Sequence, residues 1–101
     1  MNMADFCITQ VKYSDDGAHI ESLIVREEIP AKGKIGPNRK VDRAFVADLI
    51  RLGKASFQTR TWNPDDNAWD VGARIHLVED QFLTTDRNSR KRDNLGSLPE
   101  F

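Results

Sequence analysis

The chain holds 101 residues, 39% hydrophobic and 31% charged, with 6 Gly, 4 Pro, 1 Cys and a formal net charge of −1. That length gives room for one domain and excludes two. The hydrophobic share excludes wholesale disorder, and no apolar run approaches the ~18 residues that span a bilayer. A single Cys7 excludes an internal disulfide, and one Cys with two His cannot furnish a four-ligand zinc site. With no basic-then-apolar leader at its start, the sequence predicts a cytoplasmic domain with no metal, no cofactor and no membrane partner.

Residues 6–13, FCITQVKY, are rich in β-branched and aromatic side chains, and AHIESLIVREE follows after SDDG, which predicts two strands joined as a hairpin. The pair Asp16-Gly17 suits a two-residue type I′ loop, in which both central residues take positive φ. With 16 and 17 as the loop, Tyr13 faces Ile20, Lys12 faces Glu21, Val11 faces Ser22, Thr9 faces Ile24, Ile8 faces Val25 and Cys7 faces Arg26. This register pairs opposite charges and sets apolar side chains against each other, each match being worth ~0.2 to 1 kcal/mol.

The segment PAKGKIGPNRK, residues 30–40, carries two Pro, two Gly and four basic residues without hydrophobic periodicity, and so predicts an exposed basic loop. A helix is predicted from about 43 to 52. Asp42 stands at its N-cap, Gly53 at the left-handed position beyond its end, and Phe45, Leu49 and Leu52 repeat at i, i+4 and i+7. Ala55 to Trp62 alternates as a strand, with Gln58, Arg60 and Trp62 on one side, and residues 63–67 form a polar turn. Trp69 to Glu79 alternates again, placing Val71, Ala73, Ile75 and Leu77 on one face, with Gly72 marking a bulge. A turn at Glu79-Asp80 and a short strand in residues 81–85 complete the order ββαβββ. This predicts a single small α+β domain, residues 1–101, with one helix packed on a mainly antiparallel sheet. The polar, basic run to Arg92 then gives way to Leu95, Leu98, Pro99 and Phe101, which predicts a docked C-terminal tail over 93–101.

Charge is distributed unevenly. Residues 1–31 carry net −4, residues 32–60 net +6, residues 61–83 net −4 and residues 84–101 net +1. A basic face can therefore attract an anion despite the near-neutral total. The residues expected to carry that binding are Lys32, Lys34, Arg39, Lys40, Arg60, Arg90, Lys91 and Arg92. Arg60, Trp62 and Trp69 also form the one basic-aromatic cluster suited to stacking a base. The competing structural reading of Trp62 and Trp69 is an aromatic pair closing a hairpin end.

Catalytic constellations are missing. In the hairpin register Cys7 lies about seven residues from His19, ~23 Å at ~3.3 Å per residue, which excludes a Cys7–His19 dyad; His76 can approach Cys7 only from another strand, and a buried Cys is ordinarily an inert small hydrophobe. His19, His76, Asp15 and Asp16 show neither a helical zinc spacing nor a calcium loop, and KGKIGPNRK matches no phosphate-loop pattern. A hydrolase built on dispersed carboxylates such as Asp86 and Asp93 has no recognisable spacing to support it.

The stretches ITQVKYSDDGAHI and LIRLGKASFQTRT, with FLTTD and the closing DNLGSLPEF, resemble a bacterial family of short proteins described as a domain of unknown function. The resemblance covers residues 8–25, 42–61 and 71–101, and its most distinctive element is a closing DNLxxLPxF pattern. It implies a shared fold and carries no catalytic residues. The loop 30–40 and the NPDDNAW connection, residues 63–69, depart from the family pattern as enlargements. The functional expectation is a small non-enzymatic binding module for an anionic partner, either a nucleotide-like ligand or nucleic acid. The alternative is a protein–protein interaction or inhibitor module, as a homodimer or with a larger partner, using a free strand edge or the enlarged loop.

Overall fold

A computed structural model of the chain describes residues 4–17, 19–85, 95 and 98–101. The first two strands, β1 (Phe6–Tyr13) and β2 (Ile20–Ile29), pair antiparallel as the sequence predicts. Their ends keep the expected register, Tyr13 with Ile20 and Ile8 with Val25, but the middle slips by one residue. Val11 faces Leu23 and Lys12 faces Ser22, while Thr9 and Glu21 are the extra residues of two compensating bulges. The cause is apolar spacing. Ile8 with Val11, and Ile20 with Leu23, stand three apart, and strict alternation would point each pair to opposite faces. The bulges let all four enter one buried cluster.

The connecting turn is also corrected. Gly17 takes φ +70, but Asp16 does not take a positive φ, so the loop is not type I′. Instead the Gly17 N–H donates to the Ser14 carbonyl at 2.8 Å and the Ser14 N–H to the His19 carbonyl at 2.7 Å, closing a longer loop. The two left-handed φ angles that a type I′ turn needs occur elsewhere, at Glu79 (51°) and Asp80 (61°).

Residues 30–40 form ordered structure rather than an irregular loop. A 3₁₀ turn (Pro30–Lys32) leads into β3 (Lys34–Ile35) and β4 (Arg39–Asp42). Both short strands pair antiparallel with β2, β3 beside Glu28 and Ile29, and β4 beside Ser22 to Val25. They satisfy backbone groups along the outer edge of β2 that would otherwise face solvent unpaired.

Helix α1 (Arg43–Arg51) follows, with Asp42 at its N-cap and Gly53 at φ +67 beyond its end. Asp42 makes no side-chain cap hydrogen bond, so its extended backbone rather than its carboxylate starts the helix. The stop is a C-terminal wrap in which Gly53 donates to the Ile50 carbonyl and Lys54 to the Leu49 carbonyl.

Strand β5 (Phe57–Asn63) then returns parallel to β1, and β6 (Ala68–Arg74) pairs antiparallel with β5. The sheet order is β3-β2-β1-β5-β6, with β4 beside β2, so the sheet is mixed though mostly antiparallel. The bulge expected at Gly72 is present: Gly72 and Ala73 together oppose Thr59. It breaks the expected face, leaving Val71 exposed and Ile75 buried. Two last strands, β7 (His76–Val78) and β8 (Phe82–Thr84), form a separate hairpin that packs on α1. Among the described residues the element order thus contains eight strands, one α-helix and one 3₁₀ turn in place of ββαβββ, and the α+β class stands.

One face of the sheet, with Ile8, Val25 and Phe57, packs against Val46 and Ala47 of α1, and Leu83 of β8 joins the same cluster. Leu95 and Leu98 are buried in that core as well. The Val11 N–H donates to the Pro99 carbonyl at 2.9 Å, and the Phe101 N–H to the Val11 carbonyl at 3.0 Å.

Candidate ligand-binding cleft

The other face of the sheet carries polar side chains and a cleft. Cys7, Arg26 and Gln58 are directly paired across β2, β1 and β5, so their side chains share that face, and Glu28, Arg60 and Trp62 follow at two-residue steps. Strand β1 lies between β2 and β5, and its small, fully buried Cys7 leaves room for Glu28 and Arg60 to meet above it. Arg60 Nε donates to Glu28 Oε2 at 2.7 Å and Nη2 to Oε1 at 2.9 Å, a two-pronged ion pair. Gln58 Nε2 adds a third bond to Glu28 Oε2 at 2.7 Å, and Arg60 Nη1 donates to the Trp69 carbonyl at 2.7 Å. The pair is deeply placed, with the side chain of Glu28 2% exposed and that of Arg60 14%.

Above this floor lies a cleft of about 510 Å³. The 3₁₀ turn and β3 line it at one edge of the sheet through Pro30, Lys34 and Ile35, and the β5–β6 connection and the start of β6 line it at the other through Asn67 and Trp69. Strands β2 and β6 are three strand spacings apart, ~14 Å in a flat sheet. The Arg26 guanidinium sits 5.4 Å from the centre of the Trp69 ring, so these two long side chains reach toward each other across the strands between them. Trp62 and Trp69 meet edge to face with centres 5.4 Å apart, and Trp62 remains 48% exposed. The two tryptophans therefore do close a hairpin, and the same pair lines the cleft.

Arg26 is fixed on two sides. Its Nε donates to the Gly36 carbonyl at 2.6 Å and its guanidinium carbon lies over the Trp69 ring, while its terminal nitrogens have no acceptor among the described residues. A guanidinium held this way offers its outer fork to an oxyanion at little further entropy cost. Lys34 is exposed on the same cleft and has no carboxylate partner among the described residues. Among the charged residues lining the cleft, Arg26, Lys34 and Arg60 outnumber the single carboxylate of Glu28.

No ionisable group beneath the cleft is poised near neutral pH. Burial, reinforced by the neighbouring Glu28 carboxylate, pushes the Cys7 thiol up to about 11. Burial by itself would raise the Glu28 carboxyl, but the hydrogen bonds from Arg60 and Gln58 outweigh it and hold that group below the usual carboxylate range. The hydrogen bond to Glu28 raises Arg60 further. His19 is far from this site and stacks on Phe82 with ring centres 5.0 Å apart. Among the described residues, no group of three or more His, Cys, Asp or Glu is placed to hold a metal ion.

The residues expected to bind an anion are only partly brought together. Lys34 and Arg60 line the cleft. Arg60 has all three guanidinium nitrogens engaged by Glu28 and Trp69, so it braces the floor. Lys32 is exposed in the adjoining turn and does not line the cleft. Arg39 borders a small apolar depression of about 110 Å³ on the helix side, with Phe45 and Val46, and Lys40 stands exposed opposite Ile24, away from the cleft. Arg90, Lys91 and Arg92 lie outside the described residues, as do Asp86 and Asp93.

Arg26, Glu28 and Gln58 are site residues that the sequence reading missed. Their signal is the two-residue step Arg26/Glu28 facing Gln58/Arg60, and it becomes readable only once β1 and β5 are known to pair in parallel. Both segments noted as enlargements, 30–40 and 63–69, supply the rims of the cleft. Comparison with known protein families, curated proteins and solved structures gives no match. No helix among the described residues is long and apolar enough to cross a membrane.

Proposed function

We propose that this chain is a small non-enzymatic binding module for a base-bearing anion, a nucleotide-like ligand or nucleic acid, received in the cleft on the open face of the sheet. The observation that carries this reading is the placement of a rigid Arg26, with an unengaged outer fork, between Trp69 and the basic β3 rim, opposite the half-exposed ring of Trp62. An aromatic face with adjacent cations is the combination that holds a base by stacking and its phosphate by charge. The cleft volume lies in the range of small-molecule sites, roughly 300–1,000 Å³. The non-enzymatic part rests on chemistry: the Cys7 thiol is held neutral and the Glu28 carboxylate is tied to Arg60, leaving neither a nucleophile nor a general base at the cleft floor.

The test is calorimetric titration with adenosine 5′-monophosphate, adenosine and inorganic phosphate at low and moderate salt. The monophosphate is expected to bind most tightly and to weaken several-fold as salt rises. Trp62→Ala should cost the stacking contribution of about 1–3 kcal/mol, and Lys34→Gln should flatten the salt dependence. No binding of the monophosphate, or binding indifferent to salt and to both substitutions, overturns the proposal.

A further inference from the structure

The two tryptophans of the cleft stand in different surroundings. Trp62 is 48% exposed, and among the described residues its ring meets only Trp69, edge to face. Trp69 is half-buried and engaged twice: the guanidinium carbon of Arg26 lies over its ring, 5.4 Å from the centre, and its backbone carbonyl accepts from Arg60 Nη1 at 2.7 Å. The ring face that Arg26 covers is closed to a base. Arg26 has a second restraint, the bond from its Nε to the Gly36 carbonyl at 2.6 Å. The Gly36 N–H in turn donates to the Glu27 carbonyl at 2.8 Å, so this acceptor is itself tied to the strand that carries Arg26. The carbonyl restrains the inner nitrogen of the side chain, and the ring restrains the guanidinium beyond it.

Resting on the reading above, we infer that the two tryptophans divide the work: Trp62 receives the base, while Trp69 is a positioning residue that holds the Arg26 fork where the phosphate arrives. An arginine free to rotate loses rotamer freedom when it grips an oxyanion, and that loss is subtracted from the affinity. Trp69 imposes part of it before the ligand binds. The contribution of the phosphate therefore depends on an aromatic face at position 69, and the contribution of the base does not. Removing that face removes no charge. Arg26 and Lys34 go on attracting the anion, so the salt dependence persists while the affinity falls.

The experiment compares adenosine 5′-monophosphate with adenosine by calorimetric titration of the unsubstituted protein, Trp69→Leu and Trp69→Phe. Leucine keeps an apolar neighbour for Trp62 and a backbone carbonyl for Arg60, and removes only the aromatic face under Arg26. Trp69→Leu is expected to lower the monophosphate affinity at least about fivefold, to leave adenosine within about twofold, and to keep the slope of the salt dependence. Trp69→Phe, which restores an aromatic face, should recover most of the loss. A smaller loss for the monophosphate, or a loss for adenosine beyond about twofold, overturns the inference and leaves the base-bearing-anion reading intact. Should Trp69→Leu not fold, the Arg26 Nε–H signal of the unsubstituted protein, assigned by its disappearance in Arg26→Lys, decides the matter. A ring-current-shifted signal that moves with the monophosphate and not with adenosine supports the inference, and an unshifted signal in the free protein overturns it. Failure of the unsubstituted protein to bind the monophosphate removes both readings.

Discussion

Glu28→Gln is the substitution that most directly probes the floor of the cleft. The change preserves shape but removes the charge that receives Arg60 Nε at 2.7 Å and Nη2 at 2.9 Å, and it weakens the bond from Gln58. An Arg left in a buried position without its anion typically costs about 3–5 kcal/mol, and the residual exposure of the Arg60 side chain, 14%, places the expected loss toward about 3 kcal/mol. In a domain of this size each kcal/mol moves the melting midpoint by about 4–8 °C, so a fall of at least about 12 °C is expected. Urea unfolding followed by far-ultraviolet circular dichroism provides the free energy. Replacing both partners, Glu28→Met with Arg60→Leu, should recover most of the loss, because neither charge is then stranded. The pH dependence has a defined sign. The folded-state pKa of Glu28 lies below its unfolded value near 4.3, so the stabilisation is complete above about pH 5 and fades as pH falls through the folded value. The gap between the unsubstituted protein and Glu28→Gln should therefore narrow in acid. A loss below about 1 kcal/mol at neutral pH, the level of an exposed ion pair, would refute the claim that this pair braces the cleft.

Two further outcomes follow from the same face of the sheet. Cys7 stays protonated in the folded protein up to about 11 while an unfolded thiol ionises near 9, so stability should decline as pH rises from about 9 to 11, by about 2–3 kcal/mol. Paired denaturation curves of the protein and Cys7→Ala at pH 8 and pH 10.5 isolate that component, and an identical decline in both refutes it. Gly72→Ala would drive a Cβ into Thr59 Oγ1, the acceptor of the Ala73 N–H at 3.1 Å, and should destabilise by about 1–3 kcal/mol. Thr59→Ala in the same chain should return part of that loss, and an unchanged urea midpoint for Gly72→Ala would show that the bulge accommodates a side chain.

Local features of the fold were legible in the sequence and long-range ones were not. Helix α1 could be bounded from Asp42 and Gly53 because a start and a stop are encoded within a few residues of the helix itself. The hairpin of β1 and β2 was readable at its ends. Its internal slip was also encoded, in the three-residue spacing of Ile8 with Val11 and of Ile20 with Leu23, but only an accounting of which side chains must be buried reveals it. Strands β3 and β4 are two and four residues long, too short for an alternation to stand out from a loop rich in Gly and Pro. At the site, Arg60, Trp62 and Trp69 were visible as a local cluster. Glu28 was hidden because its partner is 32 residues away and reaches it across β1 through a parallel pairing that no turn signal announces. The opposite error befell Arg39 and Lys40: pairing with Val25 turns Arg39 to the helix side, and pairing with Ile24 sets Lys40 a two-residue step beyond Arg26 along β2, where it does not line the cleft.

In the proposed binding mode one ligand touches both rims of the cleft at once, with its base on Trp62 and its phosphate at Arg26 and Lys34. The most direct measurement is a nitrogen–proton correlation spectrum recorded during titration with adenosine 5′-monophosphate, following the indole N–H signals of Trp62 and Trp69 and the backbone amides of residues 33–36. A ring-current shift at the Trp62 indole is expected to saturate together with shifts at residues 33–36, with a single affinity. Shifts confined to the helix side around Arg39 and Phe45, or no movement of the Trp62 signal at saturating nucleotide, would contradict it.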